Sequence, residues 1–252
     1  MEENILILCR AIPEDSKKYF QTVCVAGIND ANEFRRLYPV PFKPYINGGG
    51  IPFRKKHWIK IGLSPTDPRD QRIESRKVDM RTIQIIRKID DIELKKIISP
   101  LVKPSIKEIE NSGASLGIIK PDIVDYECEI ISTETKSNQA RLTSDGSLAT
   151  GEKIKLDQHS YYIFTCSNKS GCSCENRPHK MEILDWEVNE LYRNIIKKTK
   201  NKDEIKQKMK QKFEWIKNTR DVYFMMGTHH RWKTWMIVSI LYLPKQLQTV
   251  FS

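Results

Sequence analysis

The chain has 252 residues, and its 43 lysines and arginines outnumber its 32 aspartates and glutamates, which gives a formal net charge of +11. A chain of this length forms one large domain or two small ones and can bury a core without covalent crosslinks. No apolar run approaches the roughly 20 residues of a membrane-spanning helix, and the acidic N-terminus is unlike a signal peptide. These features exclude an integral helical membrane protein, so we expect a cytoplasmic protein with no membrane span.

The first part of the sequence predicts β-structure. Short apolar and β-branched runs alternate there with turn residues, which is typical of strands joined by loops. Residues 82–89 fit either a strand or a helix, and residues 91–101 carry apolar side chains at helical spacing. The clearest predicted strands are residues 5–9, 22–28 and 57–63. We therefore expect a β-rich, barrel-like domain that ends with this helix and covers residues 1–110.

Residues 111–252 predict a second domain of mixed composition, in which residues 135–152 form a polar loop. Apolar residues recur every three or four positions from residue 181 onward and again over residues 202–215, so each segment predicts a helix. The predicted strands of this half are residues 160–165, 222–226 and 234–243. The fold class expected for the whole chain is α+β.

A cluster of cysteines and histidine lies between two predicted elements of this second domain. Cys166, Cys172, Cys174 and His179 have the spacing C-x5-C-x-C-x4-H. Three thiolates and one imidazole form a common ligand set for structural zinc, and four protein donors leave no position for a catalytic water. The sequence therefore predicts a structural Zn2+ ion that staples the C-terminal half.

Alternatives to this zinc site remain open. Adjacent alternate positions can point apart, so one sulfur of the C-x-C step can be left out, with His159 as its substitute. The cysteines can also be incidental reduced thiols of an exposed loop, or serve a redox or persulfide-carrying role. Asp185 and Glu187, on either side of Trp186, are interpreted as partners of the histidine, as catalytic acids or simply as the start of a helix.

Basic residues beside aromatic residues recur along the chain, a combination that serves both phosphate neutralisation and base stacking. The charge is concentrated in residues 193–220, which hold eleven basic and three acidic residues for a net charge of +8. The alternative is a solvated face, because helices also use lysine for solubility. The residues that we expect to contact DNA or RNA are Lys17, Lys18, Arg35, Arg36, Arg54, Lys55, Lys56, Lys197, Lys198, His230, Arg231 and Lys233.

A metal-dependent nuclease is the alternative function. Asp122, Glu134 and Lys136 match the pattern PD-x11-ExK, in which carboxylates hold Mg2+ and the lysine orients water. The turn with His229 and His230 is a second catalytic candidate. The PD-x11-ExK pattern is loose, and in a chain with 30% charged residues such a spacing also arises by accident. The principal expectation is therefore a non-enzymatic nucleic-acid-binding subunit.

The sequence also resembles a family of uncharacterised prokaryotic proteins. The similar segments are residues 16–19 (SKKY), 22–28 (TVCVAGI), 36–42 (RLYPVPF), 53–59, 117–121, the cysteine and histidine cluster leading into Asp185-Trp186-Glu187, and the Gly227-Thr228 turn. The resemblance covers nearly the whole chain and implies no activity. We expect a role within a larger complex, such as a prokaryotic genome-defence complex with a short Argonaute as one candidate partner.

Overall fold

The computed structural model describes residues 1–16, 20–42, 53–64, 70, 72–131, 141–142, 148–149, 158–229 and 232–245. Its strands are β1 Glu2–Arg10, β2 Glu14–Ser16, β3 Phe20–Asn29, β4 Phe34–Pro41, β5 His57–Ser64, β6 Ser75–Lys88, β7 Val102–Lys103, β8 Leu116–Ile119, β9 Asp122–Ile130, β10 Arg141–Leu142, β11 Leu148–Ala149, β12 Gln158–Thr165, β13 His179–Glu182, β14 Arg220–Thr228 and β15 Trp235–Pro244. The expectation of a β-rich α+β protein is confirmed. Most of the predicted loop at 135–152 lies outside the described residues.

In the described parts of the chain, four α-helices connect these strands, and each begins at a polar side chain that accepts a hydrogen bond from the first turn. They are α1 Asp91–Ile98, α2 Ile106–Asn111, α3 Trp186–Ile196 and α4 Lys202–Thr219, capped by Asp90, Ser105, Asp185 and Asn201. The predicted helix start at residue 181 is wrong. Residues up to Glu182 form β13, and the helix begins only at Trp186, because the Asp185 carboxylate accepts the first free N–H group.

The N-terminal half is one strongly curled sheet with the strand order β1-β5-β6-β4-β3-β2. β1 pairs with both β5 and β3, so the sheet bends back on itself. The contact of β4 with β6 is parallel and spans only two residue pairs. The barrel-like domain expected from the sequence is thus present as a strongly curled sheet, and the described strands do not form a closed barrel.

The concave side of this sheet is filled by apolar side chains. Val25, Leu37 and Ile59 are fully buried there, and they pack with Phe53 and other residues of the same cluster. Trp186 of α3 joins the cluster from the C-terminal half, with its ring 5.4 Å from that of Phe42. The first residue of a helix in the second half thus completes the core of the first.

The C-terminal half contains a four-stranded sheet, β15-β14-β8-β7, and a three-stranded sheet, β13-β12-β9. α4 packs on β9 and β14 through one stripe of buried side chains, and Phe213 of this stripe stacks on Tyr126 with ring centroids 4.1 Å apart. A further core joins the two halves, because Leu6 and Leu8 of β1 cluster with Tyr223, Met225 and other residues of the four-stranded sheet. Among the described helices, none has the length and apolar character that crossing a membrane requires.

Candidate metal centre and basic surfaces

The four predicted metal ligands converge where β12 and β13 meet. The two strands are antiparallel, and Phe164 of β12 lies opposite His179 of β13. This register brings the imidazole next to Cys166, the first residue after β12. The intervening chain reverses at Gly171, whose φ of +66° is a conformation that favours glycine, and then forms a 3-10 turn over Ser173–Glu175.

The distances between the ligand atoms match a single tetrahedral site. The Sγ of Cys166 lies 3.8 Å from the Sγ of Cys172 and 3.7 Å from Nε2 of His179, and the Cys172 Sγ lies 3.4 Å from the same nitrogen. Zinc bond lengths predict tetrahedron edges of about 3.8 Å between two sulfurs and about 3.6 Å between sulfur and nitrogen. With Cys174 included, all four ligand atoms lie within 4.8 Å of one another. The group could therefore hold one metal ion.

Backbone N–H groups surround the sulfur atoms. Against the effect of burial, the backbone of Ile106, at the start of α2, lowers the pKa of the Cys166 thiol, and the backbones of Lys107 and Cys174 lower that of the Cys172 thiol. The Cys166 N–H group donates to the Sγ of Cys174 at 3.4 Å. Such donors favour the charged thiolate over the thiol, and the thiolate is the form that binds metals. The α2 segment thus serves as the outer layer of the site.

Burial acts in the opposite direction at the same site. All four ligand residues are buried, and burial raises the pKa of the Cys166 thiol and lowers the pKa of the His179 imidazole. A neutral imidazole is the ligand form of histidine, whereas buried thiolates need a cation nearby. The arrangement fits a bound cation at this point.

His159 does not belong to this group. It lies on β12, where its Nδ1 contacts the carboxylate of Glu182, and all three cysteines converge without it. The suggested substitution of His159 for one cysteine is therefore wrong.

Asp185 marks the start of α3, which is one of the interpretations of the sequence, and it also makes buried contacts that the sequence did not suggest. Its side chain is 1% exposed, and it accepts hydrogen bonds from Lys55 Nζ at 2.5 Å, Ser239 Oγ at 3.1 Å and the Ile240 N–H at 2.7 Å. Lys55 is itself buried and also contacts Glu187 at 3.3 Å. Although burial lowers the pKa of Lys55, these carboxylates raise it above its usual range. The pair joins the two halves and is not a partner of the histidine.

Several predicted nucleic-acid contacts of the N-terminal half point inward. Arg36 is 2% exposed and donates to Ser115, and Lys55 forms the buried pair with Asp185. Arg35 pairs with Glu3 and Glu33, and Lys56 pairs with Asp91. Arg36 and Lys55 are both buried, so neither side chain is available to contact a nucleic acid at the surface. Arg54 is exposed, and Lys17 and Lys18 lie outside the described residues.

The lysines of the C-terminal half divide into two groups. Some hold α4 to its neighbours: Lys210 pairs with Asp125 at 3.0 Å, Lys217 donates to the Val124 carbonyl, and Lys208 pairs with Glu204. Lys197 and Lys198 are exposed in the turn after α3. Lys233 is also exposed, whereas the predicted contacts His230 and Arg231 lie outside the described residues.

The residues of the nuclease pattern are only partly described. Asp122 is exposed at the start of β9, opposite Thr165 of β12. Glu134 and Lys136 lie outside the described residues. The nearby acids Glu127 and Glu129 both contact Lys180. The nuclease alternative therefore stays a prediction.

Long-range contacts are what sequence reasoning missed. Lys55 and Asp185 are 130 positions apart, and no local spacing links them. His57 and Lys88 come together because they are register partners on β5 and β6. In the sequence, Trp186 is recognisable as an aromatic residue between two acids. This pattern does not show that its ring packs into the core of the N-terminal half.

Comparison with known families divides the chain in two. A model described as Domain of unknown function (DUF8758) matches residues 1–103, and a model described as Domain of unknown function (DUF8757) matches residues 104–252. The junction between the two matches falls between β7 and α2, whereas the predicted domain boundary at residue 110 stays a prediction. No curated protein matches the chain. Because the second model covers more than half of the sequence, the chain belongs to the DUF8757 family.

Proposed function

We propose that this protein is a nucleic-acid-binding subunit whose C-terminal half is stapled by one structural zinc ion and which binds chiefly through charge. The observation that carries the proposal is a group of exposed lysines that runs from the end of α3 to the first residue of α4. This group, the lysine loop, consists of Lys197, Lys198, Lys200 and Lys202. Among the described residues, none of these ammonium groups has a carboxylate within ion-pair distance, in contrast to the paired lysines of α4.

Of the two acids in the first turn of α4, Glu204 already has partners and Asp203 faces the helix N-terminus. Glu204 contacts Thr199 at 2.5 Å and Lys208 at 2.6 Å. Asp203 follows the helix cap Asn201 and lies in the first turn of α4, where negative charge is stabilised by the helix dipole. The loop therefore presents positive charge to solvent, which is the electrostatic requirement for binding a phosphate backbone.

Exposed aromatic side chains also occur in the C-terminal half, outside the lysine loop. Trp215 of α4 is exposed, with the Lys212 ammonium group 4.1 Å and the Arg220 guanidinium 5.6 Å from its ring centre. Trp232 is 74% exposed and precedes the exposed Lys233. Exposed rings next to cations support stacking on unpaired bases, so single strands are the favoured ligand.

Zinc is the metal that the donor set favours. Thiolate and imidazole ligands suit zinc, whereas magnesium and calcium prefer oxygen. Four protein donors at tetrahedral separations leave no open position for water, which supports a structural ion. The protein as purified should contain one zinc ion per chain by elemental analysis, and replacement by Co2+ should give the absorption bands of tetrahedral cobalt thiolate. A metal content near zero after purification without chelators would contradict the zinc assignment.

The charge-driven binding is tested by its salt dependence. Anisotropy titrations with single-stranded DNA and RNA should give a log affinity that falls with log salt, with a slope of about 0.7 for each neutralised phosphate. Replacing the four lysines of the lysine loop by glutamine should lower this slope by about two to three. The matched control replaces four lysines that already have protein partners, Lys180, Lys208, Lys210 and Lys217.

Both quadruple variants lose the same net charge. If they reduce affinity and slope equally, total charge decides binding and the lysine loop is not the contact surface. A flat salt dependence of the wild-type protein would overturn the proposed function itself.

A further inference from the structure

A cavity of about 500 Å3 lies at the junction between the curled N-terminal sheet and β15. One wall is formed by the segment that enters β5, Arg54 to His57, together with Lys88 at the end of β6. The lining also includes Tyr242 of β15 and Glu187 of α3, whose carboxylate contacts Lys55 at 3.3 Å. This volume lies within the range of about 300–1,000 Å3 that small-molecule sites occupy.

The cations of the cavity differ in whether they are paired. Lys55 is neutralised by Asp185 and Glu187, and Lys56 by Asp91. For Arg54 and Lys88, no described carboxylate lies within ion-pair distance. The backbone fixes their proximity, because His57 and Lys88 are register partners and Arg54 lies three residues before His57. Two positive charges are thus held on one wall without a counterion from the described part of the chain.

His57 supplies a neutral donor beside these two cations. Its Nδ1 accepts a hydrogen bond from the Arg54 N–H group at 3.3 Å, which leaves the proton of the neutral ring on Nε2. Burial and the charges of Lys88, Arg54 and Arg10 lower the pKa of this imidazole. The electrostatic potential around His57 is therefore positive, and a bound anion would lower it.

We propose that this cavity binds a phosphate monoester, with Arg54 and Lys88 neutralising the phosphate and His57 donating a hydrogen bond to it. A phosphate monoester carries a charge of about −1.5 to −2 near neutral pH, which matches two unpaired cations better than the single charge of a backbone diester does. The exposed ring of Tyr242, which also lines the cavity, would lie against the group that the phosphate is attached to. The Glu187 carboxylate shares Lys55 with Asp185, so these three groups together carry one net negative charge, which the two positive charges of Arg54 and Lys88 exceed.

Two sources could present this chemistry: the terminal phosphate of a nucleic-acid strand or a free mononucleotide. Only the first rests on the proposed function. Isothermal titration calorimetry with AMP and with adenosine tests the cavity alone. Titrations with an oligonucleotide that carries a 5′-phosphate, a 3′-phosphate or neither test the strand end.

We expect AMP to bind at least about tenfold more tightly than adenosine, since only AMP can form charge-assisted hydrogen bonds to the two cations through its phosphate. Arg54→Gln and Lys88→Gln should each weaken AMP binding by about tenfold or more. The matched controls are Lys60→Gln and Arg81→Gln, because these cations lie on β5 and β6 but pair with Glu2 and Asp79. They should leave AMP binding unchanged.

The outcomes separate the two proposals. A phosphorylated strand end that binds more tightly than the unphosphorylated one, with the preference lost in Arg54→Gln, identifies the strand terminus as the source. AMP binding without any oligonucleotide binding supports the cavity and overturns the proposed function. Equal or absent binding of AMP and adenosine, together with salt-dependent oligonucleotide binding that ignores the terminal phosphate, overturns the cavity proposal alone.

Discussion

Each half of this protein is stabilised internally in a different way. The curled N-terminal sheet buries a continuous apolar cluster, which includes Ile5, Ile7 and Ile61. In the C-terminal half, residues 166–178 contain no regular element beyond one 3-10 turn, and the four residues that could hold a metal ion lie in this segment and at His179, the first residue of β13. The three cysteines and the histidine thus lie in a loop that has too few apolar side chains to be held in one conformation by packing alone.

The comparison also shows how the halves become one unit. Asp185 begins α3, and the Lys55 ion pair reaches it from the N-terminal half, while Trp186 enters the N-terminal core. Arg36 and Glu74 both hydrogen-bond to Ser115 in a second buried contact across the junction. Neither half therefore has a complete set of partners for its buried polar groups by itself.

The largest expected effect comes from removing a metal ligand. Cys174→Ser should abolish the stoichiometric metal and lower the free energy of unfolding by roughly 3–5 kcal/mol. This is less than the roughly 10–16 kcal/mol of isolated zinc fingers, because the apolar core around the loop remains. Elemental analysis and urea unfolding measure both quantities.

Cys128→Ser is the matched control, since this thiol is partly buried in the same half but lies outside the ligand group. It should keep the metal and most of the stability. Equal losses in the two variants would show that thiol burial, and not metal binding, matters at residue 174.

The second effect is the loss of the buried ion pair. Lys55→Met leaves the Asp185 carboxylate buried with an uncompensated charge, which costs about 3–5 kcal/mol. Lys56→Met removes the neighbouring, partly exposed pair with Asp91 and should cost less than about 1 kcal/mol. Urea unfolding of the two variants measures the difference. If both substitutions lower the free energy of unfolding equally, the buried pair of Lys55 and Asp185 contributes no more than the partly exposed pair and does not hold the halves together.

How much of this could be predicted depends on how local the information is. The metal ligands all lie within fourteen residues, from Cys166 to His179, so their spacing alone predicts the site. α4 was predicted for the same reason, because Ile205, Met209, Phe213 and Ile216 repeat at helical spacing and are buried in one stripe. Local patterns sufficed for both features.

The errors arose where distant contacts decide the conformation. Ile183 and Leu184 fit a helical stripe, yet the Ile183 N–H bonds to Ser160 and the Leu184 N–H bonds to Ile237, which holds both residues extended. Arg36 looked like a surface cation beside an aromatic residue, but its partner Ser115 is 79 positions away. A single sequence carries no sign of such pairings, so burial of these cations could not be foreseen.

The smallest expected effect concerns Arg72, a further connection between the halves. Its guanidinium donates hydrogen bonds to both carboxylate oxygens of Asp70, at 2.8 and 2.9 Å, and to the Thr228 carbonyl of β14, at 3.4 Å. Partial burial tends to raise the pKa of Asp70, but the hydrogen bonds and charge of Arg72 lower it to about 2. Because the folded-state pKa is lower than the unfolded value of about 3.9, this contribution to stability is present above pH 4 or so and is lost as the pH falls through about 2.

Asp70→Asn should therefore destabilise the protein at neutral pH by on the order of 1 kcal/mol, a figure reduced from the full shift because the carboxylate is partly exposed. The difference from wild type should shrink as the pH is lowered from about 5 toward 2, as measured by urea unfolding at each pH. Asp79→Asn is the control, because the Asp79 pKa is also lowered to about 2, by a hydrogen bond from Arg81, but this pair is exposed and lies within one strand. A pH-independent deficit for Asp70→Asn would mean that the side chain stabilises the junction through its shape and not through its charge.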